Sequence, residues 1–221
     1  MRIHGTHHLA ALGVVVALTA GLAVAGTAQT VSGQAFSTYV NTSVASSIQS
    51  PLVVLPAVSG TDGAEADAEG AGVTVANTLS SDFLNSITSG ELDTSAAGAQ
   101  STASAADINV LNGLITADEV IANATSSRTG SGAVSNADGS TFQNLVVAGV
   151  ALTTGDGPVA PNTTIALSGV GYVVLNEQTL SGDGVTTSGI TVNMIHVYLQ
   201  SALGGPTGEI IVGSATTSVG S

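Results

Sequence analysis

GYVVLNEQTLSGDGVTTSGITVNMIHVYL, residues 171–199, decides the fold. Two runs rich in Val, Ile, Thr and Tyr flank a loop of Gly, Ser, Thr and Asp. Such residues fit a pleated, half-buried strand, and Gly182-Asp183-Gly184 with Ser188-Gly189 marks the turn. Gly204-Gly205-Pro206 then separates 190–199 from a third run, 209–215. Short connections suit antiparallel neighbours, because parallel strands need a crossover of roughly a dozen residues or more. The expectation is a three-stranded meander. By strict alternation, Ile190, Val192, Met194, His196 and Tyr198 share one face of its middle strand. Thr191, Asn193, Ile195, Val197 and Leu199 share the other. Apolar residues on both faces predict a strand covered on both sides, as a β-sandwich provides and a single open sheet does not.

Outward from there, strand-like runs recur at 36–45, 51–58, 73–76, 114–127, 142–152, 163–169 and 208–220. Val75, Leu79, Phe83 and Ile87 repeat every four residues, the spacing of one helix face, and make this the one stretch where a short helix is an alternative to strand. Ser80, Ser81, Asn85 and Ser86 around them are weak helix formers. SGTDGAEADAEGAG, residues 59–72, carries four acids and nothing apolar larger than alanine, and reads as an exposed loop. The fold class expected is all-β, an antiparallel sandwich-like domain over 29–221 with a C-terminal meander. A β-solenoid is the alternative, although no repeat of fixed period is present.

The first 28 residues differ from the rest. Arg2 and three histidines precede an uncharged apolar run from Leu9, and Ala23-Val24-Ala25 and Gly26-Thr27-Ala28 follow. That order is a secretory signal peptide, with an uncleaved membrane anchor as its rival. The expected location is therefore secreted or cell-surface. Cysteine is absent, which excludes disulfides and thiolate metal sites. Once Arg2 leaves with the leader, fifteen acids face Arg128 alone, and there is no lysine. Phosphate backbones and anionic lipid surfaces are bound through cations, so nucleic-acid and anionic-membrane partners are excluded. Ion pairs can contribute little to such a chain. Apolar burial and backbone hydrogen bonds must hold it against self-repulsion.

Several segments together resemble a known family. SASAADINVLNGLITADEVIANATSS, GSTFQNLVVAGVAL, PNTTIALSGVGYVVLNEQ and ITVNMIHVYL occur in the order seen in the bacterial choice-of-anchor P proteins, across roughly residues 90–215. The resemblance implies an exported bacterial surface domain. It brings no activity and no catalytic residues to carry over. The chain also ends in IIVGSATTSVGS, without the hydrophobic tail or sorting pentapeptide of an anchored protein. A domain released, or held by its leader, is the expectation.

Two groups invite a site reading. Glu177 and His196 lie on neighbouring strands, within reach of each other, as an acid–base pair or metal ligands would. A catalytic site needs a third party, and one histidine with scattered carboxylates is too few for zinc. The expectation is structural: His196 as a core imidazole bonded to one neighbour, and Asn176 and Glu177 satisfying loop amides. No catalytic residue, cofactor or metal ligand is assigned. Asp62, Glu65, Asp67 and Glu69 are the calcium candidates, but their spacing lacks the EF-hand pattern and a solvated loop is preferred. Asn-x-Ser/Thr sequons stand at Asn41, Asn123 and Asn162. Three functions follow: a non-enzymatic surface, matrix or adhesion domain; a carbohydrate-binding module or glycan-active enzyme; and a self-assembling subunit that pairs unprotected strand edges. The scarcity of reactive side chains favours the first.

Overall fold

The computed structural model describes residues 29–43, 46–59, 61 and 63–221. The leader-like segment 1–28 and Asp62 of the acidic run lie outside the described residues. Strand follows strand: β1 (Thr30–Thr42), β2 (Ser46–Val54), β3 (Ala64–Gly70), β4 (Val73–Val75), β5 (Leu79–Ser81), β6 (Phe83–Leu92), β7 (Ala97–Val110), β8 (Ile115–Thr129) and β9 (Gly132–Asn136). After them come β10 (Thr141–Gln143), β11 (Val146–Val147), β12 (Val150–Ala151), β13 (Asp156–Gly157), β14 (Thr163–Leu167), β15 (Gly171–Gly182), β16 (Ser188–Gln200) and β17 (Pro206–Gly220). No helix occurs among the described residues. One sheet has the order β14-β15-β16-β17-β1-β2. The other runs β12-β11-β8-β7-β5-β4, with β6 also on β7, β3 outside β6, and β9 and β10 on β8. Every pairing is antiparallel. The β15–β16–β17 meander stands as the sequence predicted.

The two sheets contribute unequally to the core between them. The first supplies bulk: Val173, Leu175, Ile190, Val192, Met194, Ile195, Val197, Ile210 and Val212 are fully or nearly fully buried. Opposite them, β7 and β8 offer mainly alanines, including Ala103, Ala105, Ala122 and Ala124. Large against small lets the layers interdigitate, and each fully buried Val, Leu or Ile contributes about 1.5–3 kcal/mol.

Toward the end where β1 begins and β17 finishes, hydrocarbon gives way to hydroxyl. Thr88 Oγ1 lies 2.8 Å from Ser101 Oγ, and Ser101 Oγ donates to the Thr216 carbonyl at 3.0 Å. Ser126 Oγ meets Thr217 Oγ1 at 2.8 Å and Ser135 Oγ at 2.7 Å, and Ser135 reaches Ser188 at 2.7 Å. Buried hydroxyls cost free energy unless paired, and here they pair across the two sheets. Gly33 permits the approach, because a Cβ there would overlap Thr88 Oγ1.

Strict alternation fails along one line across the first sheet. In β16, Met194 and Ile195 are both fully buried in the core, although they are successive residues. The registers do not slip: Leu175 faces Ile195 and Glu177 faces Asn193, while Ile195 faces Val212 and Asn193 faces Ser214. At this level β15 holds Asn176 at φ 48° and β17 holds Gly213 at φ 69°. Each left-handed residue reverses the side-chain phase of its strand, so pairing continues while the faces exchange. In β1, the same level carries Ser37 and Thr38, both fully buried. His196 and Tyr198 therefore leave the face of Val192 and Met194 and join that of Asn193. The expected single face from Ile190 to Tyr198 is corrected accordingly.

Other expectations change as well. Residues 75–87 form no helix: Val75 pairs with Leu79 across a hairpin turning at Asn77, and 83–92 pair with β7. The weak helix formers in that stretch yield to cross-strand pairing. The run 142–152 breaks into β10, β11 and β12 at the left-handed residues Asn144, Ala148 and Gly149. Within the expected acidic loop, 64–70 is strand β3. Ala66 and Ala68 pack on the core while Glu65, Asp67 and Glu69 face solvent.

Candidate functional site

The outer face of the first sheet, turned away from the core, gathers Glu177 from β15, His196, Asn193 and Tyr198 from β16, and Glu209 and Ser214 from β17. Glu177 and His196 meet, as neighbouring antiparallel strands allow. His196 Nδ1 lies 2.7 Å from Glu177 Oε2, and Nε2 lies 3.0 Å from Glu209 Oε2. Asn193 Nδ2 donates to the same Glu177 oxygen at 2.9 Å, and Tyr198 donates its hydroxyl to Oε1 at 2.7 Å. Ser214 Oγ in turn donates to Asn193 Oδ1 at 2.8 Å. Rings stack beside this centre: Tyr172 on Tyr198 at 4.8 Å, and Tyr198 on His196 at 3.9 Å.

The phase reversal makes the cluster. Asn193 and His196 are three residues apart and would point to opposite faces of a regular strand. With Met194 and Ile195 both turned inward, both reach Glu177. Asn176 and Glu177 stand within β15, not at its junction with a loop, and Asn176 Nδ2 donates to the Val159 carbonyl at 2.8 Å.

Because both ring nitrogens face carboxylate oxygens, the geometry favours the imidazolium form of His196, which donates from each nitrogen. Burial alone pushes its pKa down, but the hydrogen bonds and charges of Glu177 and Glu209 outweigh that and raise it. Glu177 is lowered to about 2: the His196 hydrogen bond is the largest cause, burial opposes it, and Asn193 and Tyr198 add to the lowering. Tyr198 is raised well above the usual phenol value, first by burial and then by the Glu177 carboxylate it serves. A general base needs a free lone pair, and a nucleophile needs a lowered pKa. In this arrangement His196 has no free ring nitrogen and Tyr198 is harder to ionise. What the cluster does is tie three strands together.

His196 therefore has two partners where one was expected, and Glu209 was not anticipated at all. Arg128 makes no ion pair among the described residues, and its buried Nε has no partner there. Among the described residues no group of three or more His, Asp or Glu side chains is arranged to hold a metal ion. Glu65, Asp67 and Glu69 instead stand in a row on β3, a strand paired, among the described residues, only to β6. Charges on an edge strand discourage pairing with another chain. Of the sequons, Asn123 is committed to the fold: its amide accepts from Gln100 and Thr102 and donates to the Asp138 carbonyl.

Compared with family models, curated proteins and solved structures, the chain matches none.

Proposed function

We propose that this chain is a non-enzymatic secreted or cell-surface β-domain with a structural or adhesive role. The observation that carries the reading is the saturation of the Glu177–His196–Glu209 cluster, where the groups best suited to acid–base chemistry are spent on one another. The leader-like first 28 residues and the ordered resemblance to choice-of-anchor P proteins support export. The strongly acidic composition suits a solvated extracellular surface.

Fractionation of expressing cells into cytosol, membrane, wall and medium tests the location. The reading expects the processed chain outside the cytosol, and the intact leader-bearing form in the cytosol overturns it. A panel of glycoside, ester and peptide substrates tests the activity. Turnover lost on Glu177→Gln, in a variant that still folds, would replace this reading with an enzymatic one.

A further inference from the structure

We infer that the cleft between the 136–140 turn and the second half of β15 is a binding site for an uncharged carbohydrate chain. The cleft has a volume of about 570 Å³, within the range of small-molecule sites. It opens because β14 is short. That strand pairs with β15 only from Gly171 to Leu175, so 177–182 have β16 on one side and no strand on the other among the described residues.

The walls are fixed by the fold itself. At the closed end Asn162 caps the exposed edge: its N–H donates to the Asn176 carbonyl at 2.9 Å, and its Oδ1 accepts from the Gln178 N–H at 2.9 Å. Asn176 holds Val159 in place, which seats Pro158 and Pro161 against the cleft. On the opposite lip the Asp138 N–H donates to Asn136 Oδ1 at 3.0 Å, and Ser140 N–H donates to the Ala137 carbonyl at 3.1 Å. A site built in advance loses less ordering entropy when a ligand binds.

The groups left over define the ligand. Asn136 uses its carbonyl oxygen within the turn, which leaves its NH2. Gln178 spends its NH2 on Asn176 Oδ1 at 3.0 Å, which leaves its carbonyl oxygen. The Asp138 carboxylate has no protein partner among the described residues. One donor group, one amide acceptor and one carboxylate match neighbouring hydroxyls, which both donate and accept. Leu180, 67% exposed, and Pro158 offer apolar surface for the C–H face of a sugar ring. Among the described residues no cation lines the cleft, so an acidic sugar finds no counter-charge there. Asn162 already occupies the Asn176 carbonyl and the Gln178 N–H, which shortens the edge open to a peptide strand.

The test is titration of the ¹⁵N-labelled protein with uncharged gluco-, manno-, galacto- and xylo-hexaoses, with oligogalacturonate and an extended alanine-rich peptide as comparators. At least one neutral hexaose should shift the Asn136 and Gln178 side-chain amides with a Kd of about 1 mM or tighter. Asp138→Ala and Gln178→Ala should each weaken it by about tenfold, and Asp67→Asn on the distant β3 should not. Both cleft substitutions are near the surface, and amide spectra confirm that each variant folds. The inference is overturned if no neutral hexaose gives saturable shifts, or if the shifts map elsewhere. Preference for oligogalacturonate or the peptide overturns it too, as does unchanged affinity in both variants. None of these outcomes depends on where the protein resides or whether it is an enzyme.

Discussion

Replacing Glu177 with Gln keeps the shape of the side chain and removes the charge that His196 and Tyr198 are arranged around. Lowering a carboxylate from 4.5 to about 2 corresponds to about 3 kcal/mol at about 1.4 kcal/mol per unit. The carboxylate keeps 20% of its surface in water, and solvent screening reduces the expected loss to about 1–2 kcal/mol. The pH dependence has two limbs. Glu177 is depressed on folding, so its contribution is present above about 4.5 and fades as the pH falls toward 2. His196 is raised on folding, so its contribution is full below its unfolded value of 6.5 and is lost as the pH rises through the folded one. The two overlap between about pH 4.5 and 6.5, where the stability difference between wild type and Glu177→Gln should be greatest. Urea unfolding of both proteins at about pH 3, 5.5 and 9 measures that difference directly. A difference that is flat with pH, or a variant more stable than wild type near pH 5.5, refutes the reasoning.

Gly213→Ala forces an alanine to φ 69° and places its Cβ 3.1 Å from Val120 Cγ1, whereas Gly113→Ala at φ 86° meets nothing within 4 Å. The first should cost about 1 kcal/mol more than the second in urea unfolding; equal costs would mean the sheets relax apart freely at that point. Ser126→Ala removes a fully buried hydroxyl that joins Thr217 to Ser135 and should lower stability by about 1–3 kcal/mol. A neutral result would show that those hydroxyls find other partners. Raising NaCl from about 20 to 500 mM screens the acidic surface and should raise the Tm; a constant or falling Tm contradicts the account of self-repulsion. Asp183 accepts from the N–H groups of Val185, Thr186 and Thr187, so Asp183→Ala should speed hydrogen exchange at those three amides; unchanged rates would show that the loop holds without it.

The meander could be read from residues 171–215 because its turns are spelled in glycine and its strands in β-branched residues. The meeting of Glu177 with His196 followed from that pairing. The partnership of Asn193, Tyr198 and Glu209 did not, because it depends on the left-handed backbone at Asn176 and Gly213, and alternation counted along a strand assumes no such residue. An asparagine and a glycine at matching levels of the two strands that flank β16 were the available signal. The hydroxyl seam was hidden for a different reason. Ser101, Ser126 and Thr217 are ordinary solvent-facing types by composition, and only a facing hydroxyl or carbonyl on the other sheet makes their burial favourable. The helix periodicity at Val75–Ile87 was real spacing without helix-forming residues between, and cross-strand bonding prevailed.

Thr30 pairs with Gly220, so β1 enters and β17 leaves side by side in the middle of one sheet. Tension applied between those two ends would open that pair first and then peel the ladder rung by rung, the weakest way to load a sheet. Held at one end only, the same domain transmits no force through its ladder. Loaded in series through Thr30 and Gly220, the domain would therefore unzip at low force.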